Sequence, residues 1–522
     1  MKRLLRDGIL FLLAFLILFH FIDRWTFDPS DTSSTWKWIQ EEHDEPNDIL
    51  IMGKSHAFCD INPTIINQSM DLNTMILGSN SQPMDQTYEN LRILLHYVHP
   101  KVILLEANTL AITTDTLYGG GNEGRLYSNF DSIENPFYRL SAIIHTIKNY
   151  QKWPEAFSQL LRPTNTWTRF DDHTVDPDDT ESRVNFLLGY HPRHNIIKYS
   201  VIEPAEVEQK LIEQRDKGNT LKNPGSIDAL HKFLDLAEKE DIPVYIVKTP
   251  ILYYKNELPQ IANIVEELLK TETAIKGYRN FSEQMTLIGI EHNDFSDEGH
   301  LNRDGANKFT LSLTEWLSEE LGIPYDLTKV TGVMGESYEE LPDGKYRYTV
   351  NLMDNTLIKF ITKDENDAVT FETEYTDVNY IDIPRVSSKN KLFYRICSKQ
   401  GVSGREYPFE QMEYPFMHDE GILSGFTVDN FTVTQTDNVF KIVNTYEENK
   451  VKYSWYVKKG KNVIEKTQYS EDSASFEYTF KDPGEYTVLC YVKLVSDPSE
   501  SKSEQAITVT VTKGGKVTYT IP

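Results

Sequence analysis

Apolar positions change their spacing along the chain, and each change marks a different architecture. Between residues 48 and 320 they fall in short, β-branched runs: Ile49-Leu50-Ile51-Met52, Thr74-Met75-Ile76-Leu77, Val102-Ile103-Leu104-Leu105, Val244-Tyr245-Ile246-Val247 and Thr286-Leu287-Ile288-Gly289-Ile290. Runs of this kind predict strands covered on both faces. Helical patterns lie between them, over 85–97, 226–240, 257–271 and 304–320. In the last, Ala306, Phe309, Leu313 and Trp316 share a face, and Asn302 or Asp304 can cap it. Strands alternating with helices predict an α/β domain with a doubly wound parallel sheet, whose ligands bind at the carboxyl ends of the strands. Residues 110–222 interrupt the alternation and are too long for a simple loop. This stretch holds Gly119-Gly120-Gly121, Trp153, Trp167, Phe170 and "FLLGYHPRHN" at 186–195, with a helical pattern over 137–160. It reads either as a packed helical insertion with its own small core or as a wall beside the ligand edge.

After Gly322-Ile323-Pro324 the spacing becomes period two. "KYRYTVNLMDNTLIKFIT", with Asp354-Asn355 as a turn, and "NKLFYRICSK" predict a β-sandwich module over 327–422. A second all-β module covers 423–522, where Tyr453 and Trp455, then Phe476, Tyr478 and Phe480, alternate, and Asp482-Pro483-Gly484 turns the chain before Tyr486. This second module resembles the polycystic-kidney-type or triple-tyrosine immunoglobulin-like modules of bacterial surface proteins. Such aromatic stripes are core in most folds, and the alternative is a glycan-binding face.

The N-terminus is basic at Lys2, Arg3 and Arg6, then apolar from residue 8 to 22 apart from His20, and closes with Asp23-Arg24-Trp25. No small-x-small cleavage pattern follows it. Residues 1–25 are therefore expected to form an uncleaved signal anchor, with a cleaved, secreted form as the alternative. The basic flank would stay cytoplasmic and the bulk of the chain, including an α/β domain over 45–322, would be extracytoplasmic at a cell membrane.

Composition narrows the partners. Lys and Arg number 53 against 79 Asp and Glu, a net charge of −26 over 522 residues. That field repels phosphate backbones and argues against nucleic acid. Three cysteines, Cys59, Cys397 and Cys490, are too few and too scattered for a disulfide framework or zinc site. Cys397 and Cys490 either pair or stay as buried thiols. No cofactor or metal motif is present.

The candidate chemistry sits at two ends of the α/β region. The first apolar run ends at Gly53-Lys54-Ser55-His56, which places a serine hydroxyl where a strand leaves the sheet. Asp297-Glu298-Gly299-His300, an Asp-x-x-His spacing, stands just before the last helix. Together these pieces resemble the SGNH (GDSL-like) hydrolase superfamily over roughly residues 45–320, with its flavodoxin-like sheet. Within that superfamily they are most similar to membrane-anchored envelope O-acyltransferases of the alginate and teichoic-acid type. The resemblance implies Ser55 as nucleophile, His300 as base and Asp297 as its orienting acid. It implies an oxyanion hole from Gly78, in Leu77-Gly78-Ser79-Asn80-Ser81-Gln82, and Asn108, in Leu105-Glu106-Ala107-Asn108, with the Ser55 N–H.

The chain departs from the superfamily pattern at Lys54, where an Asp is usual, at Glu106, which replaces a glycine, and at Thr109, which replaces a second acid. Asn80 or Gln82 is accordingly an alternative third donor. Glu106 either orients a substrate hydroxyl or holds the loop, and Lys248 either faces the site or serves a structural ion pair. His56 is expected to point away from the nucleophile and to be structural, and Cys59 to be packed. The expected function is a serine esterase or O-acyltransferase acting on a cell-surface polysaccharide, with acetyl as the expected group. The resemblance also implies a membrane-bound O-acyltransferase partner. The alternative is a non-catalytic glycan-binding or assembly scaffold on the same fold.

Overall fold

The computed structural model describes residues 2–25, 35–36, 39–40, 47–117, 127, 129–162, 188–197, 203–215, 224–253, 258–386, 390–399, 413–417, 431–436, 439–444, 451–460, 462–480, 482–494, 501–503, 507–513 and 516–520. Gly119-Gly120-Gly121, Trp167, Phe170 and the expected module boundary at 422/423 lie outside these residues.

Five parallel strands form the first sheet: β1 (Ile49–Gly53), β2 (Thr74–Gly78), β3 (Val102–Glu106), β4 (Val244–Lys248) and β5 (Ile275–Asn280), in the order β2-β1-β3-β4-β5. Every residue of β1 to β4 is buried, which is why these four read as unbroken apolar runs. The expected strand at 286–290 is not one. Those residues form a turn in which Leu287 is exposed and Gly289 has φ +72°. The fifth strand is "IKGYRN", an edge strand with partly exposed polar positions that break the apolar run.

Two groups of helices cover the sheet. One comprises α2 (Ser55–Asp60), α3 (Pro63–Met70) and, after the last strand, a long helix (Arg303–Leu321) that packs on both. The other contains α4 (Met84–Leu94), α5 (Pro136–Thr146), α6 (Pro204–Arg215), α7 (Pro224–Lys239) and α8 (Leu258–Leu268), in which α4 packs on α5 and α7, and α6 on α8. The long helix, α9, is capped by Asn302, whose side chain accepts from the Asp304 and Gly305 N–H groups, and stops at Gly322 in the left-handed region. N-terminal to all of these, α1 (Lys2–Trp25) is a helix of 24 residues. Among the described residues no helix is long and apolar enough to cross a membrane.

The interrupting stretch packs into the core of the α/β domain and has no separate core among its described residues: Phe130, Ile143 and Tyr190 share one cluster with the strands. Its first part supplies α5, which packs on α4, and a short helix Trp153–Phe157. Its later part, 188–197, runs along the sheet. The Leu188 carbonyl accepts from Ile76 N at 2.9 Å, and Gly189 lies so close to β2 that a Cβ would meet the Ile76 carbonyl at 2.4 Å.

Antiparallel sheets follow. Strands β6 (Val333–Glu340), β7 (Tyr346–Leu352) and β10 (Tyr380–Ile383) form one, and β8 (Thr356–Lys363), β9 (Val369–Glu372), β11 (Lys391–Ser398) and β12 (Tyr414–Pro415) another. They share a core around Tyr348, Val350, Phe360 and Tyr394. Further along, Phe431–Thr436, Val439–Asn444 and Ser475–Thr479 form a three-stranded sheet. Asn462–Lys466, Val451–Lys459, Gly484–Leu494, Ile507–Val511 and Val517–Thr520 form another sheet, in that order. Tyr453, Trp455, Phe476, Phe480 and Tyr486 are buried in one core there, so these aromatics fill an interior. Cys59, Cys397 and Cys490 are free thiols, so the Cys397–Cys490 pairing is not made.

Candidate active site

At the carboxyl end of the sheet, β1 lies between β2 and β3, the crevice where connections leave in opposite directions. Gly53 ends β1 there because β3 comes too close for a side chain: a Cβ would stand 2.8 Å from Glu106 Cβ and 3.2 Å from Ala57 Cβ. Gly78 ends β2 in register with Gly53, and a Cβ on it would meet the Gly53 carbonyl at 2.8 Å. Lys54 is extended, the chain then reverses, and Ser55 opens α2 with little exposure. The nucleophile candidate thus stands on a strand-turn-helix corner.

The other half of the site comes from the loop before α9. Asp297 Oδ1 accepts from Gly299 N at 2.8 Å and from His300 N at 2.9 Å, which closes the Asp-x-x-His spacing into a turn. That turn brings His300 Nδ1 to 2.9 Å from Oδ1 and 3.0 Å from Oδ2 of the same carboxylate. His300 Nε2 lies 2.7 Å from Ser55 Oγ. With Nδ1–H donating to Asp297, Nε2 is left to accept the Ser55 hydroxyl proton. Leu301 N donates to Asp60 Oδ1 at 3.0 Å and ties the loop to the end of α2.

Three further groups complete the surroundings. Arg193 of the 188–197 segment donates from Nη1 to Asp297 Oδ2 at 3.0 Å and from Nε to Cys59 Sγ at 3.4 Å. Nothing in its spacing singles it out in the sequence; only the reading of the insertion as a wall beside the site points toward it. The His56 ring does not point away from the nucleophile. Its centroid is 4.7 Å from that of His300, because Ser55 begins a helix rather than a wide turn. Both ring nitrogens are buried without a hydrogen-bond partner. Tyr253 reaches the same place, beside Gly299.

The oxyanion candidates separate by environment. Asn108 is fully buried in the turn where β3 ends beside Gly53, its carboxamide next to the Glu106 carboxyl. Gln82 is committed elsewhere: its amide nitrogen donates to Thr87 at 2.9 Å and its oxygen accepts from Ser79 and Asn90. Asn80 is exposed on a turn. Glu106 Oε1 accepts from Asn108 N at 2.9 Å, so this carboxyl holds the loop, and Oε2 is buried without a partner.

Electrostatics follow from burial. Burial would raise Asp297, but the hydrogen bond and charge of His300, the Gly299 N–H and Arg193 outweigh it and hold the carboxylate below its ordinary range. Burial drives His56 well down, helped by the cations Lys54, Arg193 and Lys248 and by His300, which keeps its ring neutral. Burial pushes Glu106 up to about 7 against the pull of Lys54 and the Asn108 N–H, and pushes Lys248 down to about 8. Lys54 is lowered by burial, opposed by Glu106. Lys248 is fully buried at the end of β4, with Glu283 and Glu106 as the nearby charges that hold it up. Burial raises the Cys59 thiol to about 12, so it is packed rather than reactive.

No curated protein matches the chain. Residues 444–512 match the family model of the Y_Y_Y domain, which places that domain after an α/β domain with a parallel five-stranded sheet.

Proposed function

We propose that the protein is an SGNH-type serine esterase or O-acyltransferase that modifies a cell-surface polysaccharide outside the cytoplasmic membrane. The observation that carries this reading is the continuous relay Asp297–His300–Ser55, with hydrogen bonds of 2.9, 3.0 and 2.7 Å, built from residues 245 positions apart. A serine hydroxyl is a weak nucleophile until a base takes its proton, and a neutral imidazole oriented by a carboxylate is the arrangement that does so. His300 would take the proton as Ser55 Oγ bonds to the ester carbonyl carbon. The resulting oxyanion would accept from the Ser55 and Gly78 N–H groups and from the Asn108 amide, each donor worth about 3 kcal/mol. The imidazolium would then protonate the departing alcohol oxygen, leaving an acyl-serine. A second hydroxyl, from water or a sugar, would give its proton to His300 as its oxygen bonds to the acyl carbon, and the imidazolium would return that proton to Ser55 Oγ as the acyl–serine bond breaks. The polysaccharide acceptor, acetyl as the group moved, membrane attachment through α1 and a membrane-bound acyltransferase as donor rest on the family resemblance of the sequence.

The test is reaction of the full-length protein with a fluorophosphonate and turnover of p-nitrophenyl acetate. Labelling and turnover are expected for the native chain and absent from Ser55→Ala. Equal behaviour of the two would overturn the reading in favour of a scaffold. O-acyl content of surface glycan in cells carrying Ser55→Ala then separates a transferase, which lowers it when lost, from an esterase, which raises it.

A further inference from the structure

Helix α5 is apolar on both sides although it lies at the surface. Its inner face, Ala142 and Ile143 among others, packs into the body of the α/β domain. Its outer face presents Phe137 at 80 % exposure, Leu140 at 40 % and Ile144 at 44 %, at the i, i+3, i+7 spacing of one stripe. Three large apolar side chains exposed along one stripe mark a contact face for a partner or for lipid. The helix runs antiparallel along α4: the Tyr138 ring stacks on His96, Arg92 donates to Ser141, and His145 pairs with Glu89.

The identity of what covers it comes from α1. The foot of that helix is fixed to α5: Asp23 is buried, accepts from Ser158 at 2.5 Å and lies 3.8 Å from Arg139 of α5. Above this foot α1 exposes Phe11, Phe15 and Leu18. Its apolar run, residues 8–22, is about 22 Å long at 1.5 Å per residue. That is short of the ~30 Å hydrocarbon layer, so a bilayer meeting it has to thin or draw the attached domain toward its headgroups. Drawing it in brings the Phe137 stripe to the lipid. The basic residues of this surface, Lys2, Arg3 and Arg6, precede the apolar run of α1, and the chain as a whole carries −26, so the contact assigned to α5 is apolar.

We propose that the outer face of α5 and α1 form one membrane-docking surface, with Phe137, Leu140 and Ile144 seated in the interfacial layer of a phospholipid bilayer. The inference rests on the reading of α1 as the membrane-seeking element. The probe is full-length protein carrying Cys397→Ser, labelled with nitrobenzoxadiazole at F11C, F137C or L287C in turn, on phosphatidylcholine vesicles containing doxyl-labelled lipid. Quenching is expected at positions 11 and 137 and not at 287, which is 75 % exposed on the 286–290 turn. Quenching at 11 without 137 overturns this inference and leaves the anchor reading standing. No quenching at 11 or 137 overturns both. Quenching at 287 as well marks indiscriminate contact and overturns the docking surface, as does shielding of 137 without lipid in a chain that sediments as a dimer. F137S/L140S/I144S, with unchanged circular dichroism, should weaken vesicle association at least about tenfold.

Discussion

Arg193 holds the acid of the proposed relay from the side opposite the base, and a cation there has a definite electrostatic consequence. Its charge helps to hold the Asp297 carboxylate below its ordinary range. Arg193→Gln keeps a donor for Asp297 but removes the charge. The Asp297 carboxylate then loses part of what holds it below its ordinary range, so the acid limb of the kcat/KM profile on p-nitrophenyl acetate should move to higher pH. A drop in rate with no movement of the limb would make Arg193 merely structural. Glu106 offers a separate titration. Burial raises its carboxyl to about 7, so its folded form binds the proton more tightly than the unfolded chain does. The stability it contributes is complete below about 4.5 and is lost as pH rises through about 7, up to roughly 3 kcal/mol. Glu106→Gln keeps the acceptor for Asn108 N and cannot ionise. Urea unfolding at pH 5 and pH 8 should show the native chain losing ground to this variant by that order. Ser55, Asp297 and His300 were legible because each stands at a punctuation mark, a strand end or a helix start. Arg193 and His56 were not: one lies in an irregular segment, and the other changes direction once Ser55 begins a helix.

Elements were legible where burial made them uniform. Strands β1 to β4 announce themselves because both faces are covered, whereas β5, half-exposed at the sheet edge, is outcompeted in the sequence by the apolar turn at 286–290. The corner after β1 depends on a contact no periodicity records, the approach of β3 to Gly53. Gly53→Ala puts a methyl 2.8 Å from Glu106 Cβ and 3.2 Å from Ala57 Cβ, so β1 and β3 must part where Ser55 and Asn108 are held. Overpacking of this kind costs about 1–3 kcal/mol. The loss in p-nitrophenyl acetate turnover should be larger than the stability change implies, because displacement of positioned groups by about 1 Å costs on the order of a hundredfold. Thermal unfolding and kinetics on the same sample separate the two effects. A variant that loses stability and keeps full turnover would show that the corner does not position the nucleophile.

At the scale of the molecule, the first β module and the α/β domain are joined through the helix that follows the proposed base. Arg303 lies three residues after His300, fully buried between Asp304, Glu336 of β6 and the rings of Tyr394 and Tyr414. Glu336 also accepts from the Tyr394 hydroxyl at 2.6 Å and from Met417 N, so a single carboxylate gathers both sheets of the module onto α9. Asn307 Nδ2 donates to the Val333 carbonyl at 2.8 Å, and Thr331 N donates to Gln68 of α3 at 2.7 Å. The sequence could show period-two spacing after residue 324 but not this clamp, since Arg303 and Glu336 become partners only when the module folds back. Burial pushes the Glu336 carboxyl up, with Arg303 opposing, which is the signature of an ion pair that must stay complete. Glu336→Ala leaves the buried Arg303 cation with Asp304 as its remaining carboxylate partner in the cluster, a loss of up to about 3–5 kcal/mol. R303M/E336L removes both charges and should recover part of that stability, and only part, because the buried Asp304 then loses its Arg303 partner. If the clamp also steadies the loop that carries His300, Glu336→Ala lowers fluorophosphonate labelling of Ser55 under conditions where the chain is still folded, and the double variant restores it. Labelling that stays at the native rate in folded Glu336→Ala would show that the β module is fastened to the domain without bearing on its chemistry.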